Sequence, residues 1–279
     1  MVGIVVYTTK RGIKKKRREI MRLKLIACKI LFREISMLCS TTENIVDITW
    51  IRQGKHNYPE QLHDLLQEEI DLIESGEDNH TNKMNDTSEM DDGIADDFDA
   101  ILLGYGLCSN AVCGLHAKSH RLVIPKAHDC ITLFMGSKET YAKYFNEIPG
   151  CYWYTADWIE NADMPGEERE KRMIKVYEEK GYDEDTIEYL LGVMDGLDNY
   201  HNAAYIKMPF LDREKYREAT KKAAEFFGWQ YHEIEGSLSL FERFIEGDWN
   251  EEDFLVLEPG ETAVQTYDQD IIRKGILQS

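Results

Sequence analysis

The sequence predicts an α/β protein built on a mainly parallel sheet with helices on both faces, a Rossmann-like three-layer arrangement. Two observations carry this expectation. Apolar runs of strand length alternate along the chain with amphipathic stretches at helical spacing. Pro and Gly residues at 59, 76, 149–150, 181 and 228 punctuate the alternation where such elements should start or stop.

Taken in order, residues 1–20 hold seven Lys or Arg and one acid and read as a basic extension unlike the rest of the chain. A single domain is expected over 21–279. Leu23–Ala27 is its first strand, and Ile30, Leu31, Ile35 and Leu38 fall on one face of a helix. Ile45–Ile51 is the second strand. Pro59 opens a helix with Leu62, Leu65, Leu66, Ile70 and Ile73 on one face, ending near Gly76. Residues 77–97 turn polar and acidic, the pattern of a solvated insertion. Ala100–Leu103 and Leu122–Ile124 are the third and fourth strands, and Cys113 falls on a helix that Ser109 or Asn110 would cap. Ser137 begins the next helix, Cys151–Thr155 is a strand, and 167–180 and 183–195 are amphipathic helices. A strand at Ala203–Met208, a helix capped by Asp212, a strand at Trp229–Ile234, a helix from Ser237 and a strand at Phe254–Leu257 complete the reading.

The chain has 279 residues, a formal net charge of -19 and 43% hydrophobic residues, which describes a globular protein with a sizeable core. Its acidic excess would repel nucleic acid and anionic membranes. No run approaches the ~20 apolar residues of a membrane span, and no pattern of a secretory leader opens the chain. The expected compartment is therefore a reducing cytoplasm, where cysteines that matter hold metal or do chemistry.

The chemistry-bearing residues gather at strand ends. Cys28 follows the first strand, Cys108 the third, and His128, Asp129 and Cys130 the fourth. Ligands in open parallel sheets bind outside the carboxyl ends of strands, so residues far apart in sequence would converge there. Cys28, Cys108, His128 and Cys130 make a thiolate–imidazole set suited to zinc or an iron–sulfur cluster. Asp129 would orient His128 or, with it, act in acid–base catalysis. Gly104 and Gly106 lack a Cβ and would let the backbone approach a ligand or cofactor closely. Two other readings stand beside the metal: free cysteines that fill a core, or a metal-free thiol enzyme whose nucleophile is Cys108 or Cys130. The aromatic segment of Tyr152, Trp153 and Trp158 reads as core packing more readily than as a ligand wall.

Tyr105-Gly-Leu-Cys108, Val123-Ile-Pro-Lys-Ala-His-Asp-Cys130 with the following Ile-Thr-Leu-Phe-Met-Gly-Ser137, and the Tyr152 to Trp158 segment resemble the family known as domain of unknown function sixteen-thirty-eight. The resemblance runs from about Met21 toward the C-terminus. The basic extension and the acidic insertion depart from the family, and neither touches the central motif. Members occur in anaerobes, often near corrinoid methyltransferase genes. The resemblance thus implies metal or thiol chemistry in corrinoid-linked methyl transfer or one-carbon metabolism, with a corrinoid protein or methyltransferase as partner and the corrinoid present only through it. A non-catalytic accessory or metal carrier docking on a corrinoid protein is the alternative of a different class.

Overall fold

A computed structural model describes residues 19–77, 98–268 and 270–277. Most of the basic extension and all but the first residue of the acidic insertion lie outside these. The fold is α/β with a mainly parallel central sheet. Its strands are β1 (Arg22–Cys28), β2 (Ile45–Ile51), β3 (Ala100–Gly104), β4 (Leu122–Pro125) and β8 (Phe254–Leu257), arranged in the order β2-β1-β3-β4-β8. The first four run parallel and β8 pairs antiparallel with β4.

The remaining strands do not extend this sheet. β5 (Cys151–Tyr154), β6 (Asn202–Lys207) and β7 (Gln230–Glu235) form a second, three-stranded parallel sheet. The alternation of strand and helix is legible in the sequence, but strand composition alone carries no information on which runs pair. A two-stranded antiparallel ribbon of β9 (Glu261–Gln265) and β10 (Ile272–Ile276) follows Phe254–Leu257, the last strand that the sequence predicts.

Side-chain alternation divides the central sheet between two cores. Ile26, Ile101, Leu103, Leu122 and Ile124 face Leu62, Leu66, Ile70 and Ile73 of helix α2 (Pro59–Ser75). Leu23, Leu25, Ala100, Leu102 and Val123 face helix α1 (Phe32–Cys39) and helix α9 (Ser239–Glu246), together with Ile206 and Ile234 of the second sheet. Lys24, 0% exposed, breaks the apolar pattern of β1 and is paired in register with Asp47 of β2 at 2.7 Å.

Helix termini follow their chemistry. Pro59 stands at the first position of α2, and Gly76 ends it at φ 70°. Asp129 caps the short α3 (Cys130–Met135), Ser137 caps α4 (Lys138–Glu147), and Thr155 caps α5 (Ala156–Asn161). Asp183 caps α7 (Glu184–Asp195), which follows α6 (Glu167–Glu179). Helix α8 (Glu214–Phe227) starts two residues beyond Asp212, whose carboxylate pairs with Arg217 instead of capping. The expected helix around Cys113 is absent: Cys108, Ser109 and Asn110 all have positive φ (44°, 58° and 71°), and the segment is a series of turns. Three successive left-handed residues cannot seed a right-handed helix.

Candidate functional site

Two adjoining spaces lie at the carboxyl ends of β1 to β4. The smaller is a cleft of about 30 Å³ whose walls include Cys28, Gly104, Tyr105 and Cys108, together with Arg52, Lys55 and His56 from the loop after β2. The larger is a chamber of about 420 Å³, lined by His128, Asp129, Tyr152, Trp153, Cys151 and Tyr200 among others. His56, Cys108, Cys130 and Trp158 border both.

The loops after β3 and β4 are held together by backbone. The Leu107 N–H donates to the Ala127 carbonyl at 2.7 Å and the Cys108 N–H to the His128 carbonyl at 3.3 Å. Gly106 makes this approach possible, since a Cβ there would stand 2.9 Å from the Ala127 carbonyl oxygen and from the backbone of Asp129. Gly104 borders the cleft, and a Cβ there would stand 2.8 Å from the Ala27 Cβ. In both cases the side that a Cβ would fill is occupied by protein.

Cys28 is the last residue of β1, Cys108 opens the left-handed run after β3, and Cys130 is the first residue of α3. Their thiols are close enough for charge on one to act on the others. Burial is the main cause that lifts each above the ordinary thiol range, Cys28 to about 11 and Cys108 to about 12, with the Cys28 and Asp129 charges adding to the rise at Cys108. Burial, then the Asp129, Cys108 and Cys28 charges, also raise Cys130 well above the ordinary thiol range. Burial outweighs the backbone hydrogen bonds that oppose it, so the free thiols are protonated at neutral pH.

Burial also raises Asp129, opposed by the N–H of Thr132, the Tyr141 hydroxyl and the N–H of Ile131. Oδ1 accepts from the Ile131 and Thr132 N–H groups, and Oδ2 accepts from the Tyr141 hydroxyl at 3.2 Å. His128 is exposed and sits 6.2 Å, ring to ring, from Tyr141. It borders the chamber but not the cleft that contains Cys28, so the expected four-residue set is shared between two spaces. His56, absent from that set, borders both. Burial lowers its pKa, with Asp129 opposing.

Among the described residues, no three His, Cys, Asp or Glu side chains are arranged as they stand to hold a metal ion. The donor set nevertheless suits a thiophilic metal in its chemistry, with three thiols and a nearby imidazole. Each thiol swings on a single χ1 torsion.

The aromatic segment serves the chamber as well as the core. Tyr152 packs against Trp158 (6.4 Å) and Tyr200 (5.1 Å), and His56 approaches Trp158 (6.3 Å). Trp158 is placed by the Thr155 cap and by α5 docking on the start of α1, where the Arg33 N–H donates to Asp157 and the Arg33 guanidinium pairs with Glu160 at 2.6 Å.

A profile of the family described as "Protein of unknown function (DUF1638)" matches residues 50–245. The chain belongs to this family. No curated protein and no solved structure matches it. Within the DUF1638 match lie His56, Tyr105, Cys108, His128, Asp129, Cys130 and Trp158, while Cys28 precedes it. Arg52, Lys55 and His56 form no motif in the sequence. Their one signal is position, one to five residues beyond the end of the second strand, the same kind of place that singles out the cysteines.

A larger groove of about 850 Å³ lies elsewhere, bordered by α6 and α8, but its Arg169 and Arg172 are paired with Asp163 and it contains no cysteine or histidine. No helix among the described residues is long and apolar enough to cross a membrane.

Proposed function

We propose that this DUF1638 protein holds a thiophilic metal, zinc or an iron–sulfur cluster, through Cys28, Cys108 and Cys130 at the carboxyl ends of the parallel strands. The carrying observation is the convergence of three cysteines from three strand ends on one cleft. His56 is better placed than His128 to complete the set, because it borders both spaces. Bound metal would keep the thiols deprotonated and available as soft nucleophiles or ligands.

The reaction class we assign is transfer of a methyl or other one-carbon group in the aromatic chamber, with a corrinoid protein or methyltransferase as partner and the chain in the cytoplasm. Asp129 holds α3, and thereby Cys130, in place. His128 at the chamber's exposed rim is the group available for proton exchange with solvent. An accessory role, carrying metal to a corrinoid protein, uses the same ligands and differs only in the absence of turnover. A metal-free thiol enzyme is less well supported, because burial holds all three thiols above the ordinary range.

Anaerobic cobalt(II) titration of the reduced protein tests the site. About one cobalt per chain with a thiolate charge-transfer band is expected, with the band lost in Cys108→Ser and Cys130→Ser. Equal cobalt binding by wild type and a Cys28→Ser/Cys108→Ser/Cys130→Ser variant would overturn the reading.

A further inference from the structure

Two residues that border the small cleft carry buried donors that the metal reading leaves unused. Tyr105 is 3% exposed and its hydroxyl, close to Cys28 and Cys108, has no hydrogen-bond partner among the described residues. The Trp158 indole N–H is likewise buried and unpartnered among them. No described residue, thiol sulfur included, accepts a hydrogen bond from either. Leaving a buried polar group unpaired is costly, so two residues with such donors on one cleft mark where an acceptor belongs.

The sign of the surrounding charge says which kind. Arg52 and Lys55 border the cleft, and neither forms an ion pair among the described residues. No Asp or Glu borders it. A volume of about 30 Å³ admits one small polar head and no more. Beyond it, past Cys108 and Cys130, the chamber offers rings of Tyr152, Trp153 and Tyr200.

We propose that the cleft is a carboxylate subsite. The Tyr105 hydroxyl and the Trp158 indole N–H donate to the carboxylate of a small organic acid under the positive charge of Arg52 and Lys55, and the body of that acid lies in the aromatic chamber. The carbon next to the carboxylate then faces Cys108 and Cys130, which stand where the two spaces meet. This rests on the reading of the strand-end cavity as the functional site; a metal on the three thiols and a carboxylate head would share the cleft's one small volume, so the subsite belongs to the metal-free protein.

Benzoate, benzyl alcohol and benzylammonium share a ring and differ in head-group charge, so they serve as probes. They are titrated by calorimetry into the full chain, reduced and freed of metal with a chelator. Benzoate is expected to bind at least about tenfold more tightly than either of the others, since a hydrogen bond to a charged group contributes about 1.5–3 kcal/mol and 1.4 kcal/mol is a factor of ten. Tyr105→Phe should weaken benzoate about tenfold and leave benzyl alcohol unchanged. Arg52→Gln, at an exposed position, should weaken benzoate and flatten its salt dependence, which keeps the test valid if the buried variant misfolds. Benzoate binding no better than benzyl alcohol, or equal in wild type and Arg52→Gln, would overturn the subsite. Cobalt titration and the benzoate titration of the metal-free wild type are read separately: benzoate binding without cobalt binding overturns the metal alone, and cobalt binding without benzoate binding overturns the subsite alone.

Discussion

Two neighbouring positions on the loop after β3 respond to opposite pressures. At Gly106, an added Cβ meets three backbone atoms of the 127–129 segment at 2.9 Å, none of which can rotate away. Gly106→Ala should destabilise the protein by about 1–3 kcal/mol, the range for overpacking, and should spread the two loops so that cobalt binding falls as well. Ser109 is held at φ 58°, where an L-residue costs roughly 1–2 kcal/mol. Ser109→Gly relieves this and gives back about 0.5–1 kcal/mol to chain entropy, so its stability should equal or exceed wild type by up to about 1 kcal/mol in urea denaturation. A loss of stability greater than that gain would show that the Ser109 side chain has a role its conformation does not reveal. Strained non-glycine residues cluster where function needs them, and the run beginning at Cys108 sits beside the proposed ligands.

Between elements, carboxylates act in two opposite ways. Glu74, at the end of α2, accepts from the N–H groups of Lys118, Ser119 and His120, from the Ser119 hydroxyl and from His120 Nδ1 at 2.7 Å. Burial by itself would raise its pKa, but these donors outweigh burial and hold it below the ordinary 4.5. A depressed carboxyl contributes stability above its unfolded pKa and loses it as pH falls. Glu74→Gln should therefore lower stability at pH 7 and flatten the acid limb of a denaturation series below about pH 5. Glu34 of α1 and Asp157 of α5 behave in the reverse sense. Both are 0% exposed, and burial followed by their mutual contact raises Glu34 strongly. Burial raises Asp157 as well, opposed by its contacts with Glu34 and the Arg33 N–H. Among the described residues neither Glu34 carboxyl oxygen has a partner as an ionised acceptor, and a proton on Glu34 would let it donate to Asp157. A raised carboxyl stabilises fully below its unfolded pKa and progressively less as pH climbs toward the folded value. Glu34→Gln should gain stability relative to wild type between pH 5 and pH 8. A constant difference across that interval would show that the pair does not share a proton. Since α5 carries Trp158, the same contact sets where that ring meets the thiols.

For the molecule as one body, the shared core is the decisive feature. Ile206 and Ile234 of the second sheet pack in the same cluster as Leu25 and Leu102 of the first, together with Phe134 and Phe241. Neither sheet can expose that cluster alone without loss of apolar burial on the other side. Far-ultraviolet dichroism and tryptophan fluorescence should therefore report one coincident unfolding transition. Phe241→Ala should move both signals together, at a cost of about 3–5 kcal/mol. Separate transitions would show two independently stable sheets. The meeting of the sheets also makes the chamber, with thiols and His128 from one and Tyr152 and Trp153 from the other.

The strands and most helices are legible in the sequence because their signals are local. Burial of a strand writes an apolar run, a helix writes a 3.6-residue period, and Pro59 and Gly76 mark the ends of α2 through their own backbone limits. Strand-end placement likewise brings Cys28, Cys108, His128, Asp129 and Cys130 to one edge of the fold. Pairing between strands depends on twist and packing of the finished chain, so the division into two sheets and the β9–β10 ribbon leave no local trace. Nor does α3, whose six residues are too few to show a period but which Asp129 caps. The site's remaining walls are hidden for the same reason. Arg52, Lys55 and His56 are ordinary loop residues until β2 lies beside β1, and Trp158 is an ordinary core aromatic until α5 docks on α1. Local patterning is enough to establish the α/β class and to put thiols at the strand ends. The charges, donors and rings that surround those thiols come from contacts between residues far apart in the chain, which no local pattern encodes.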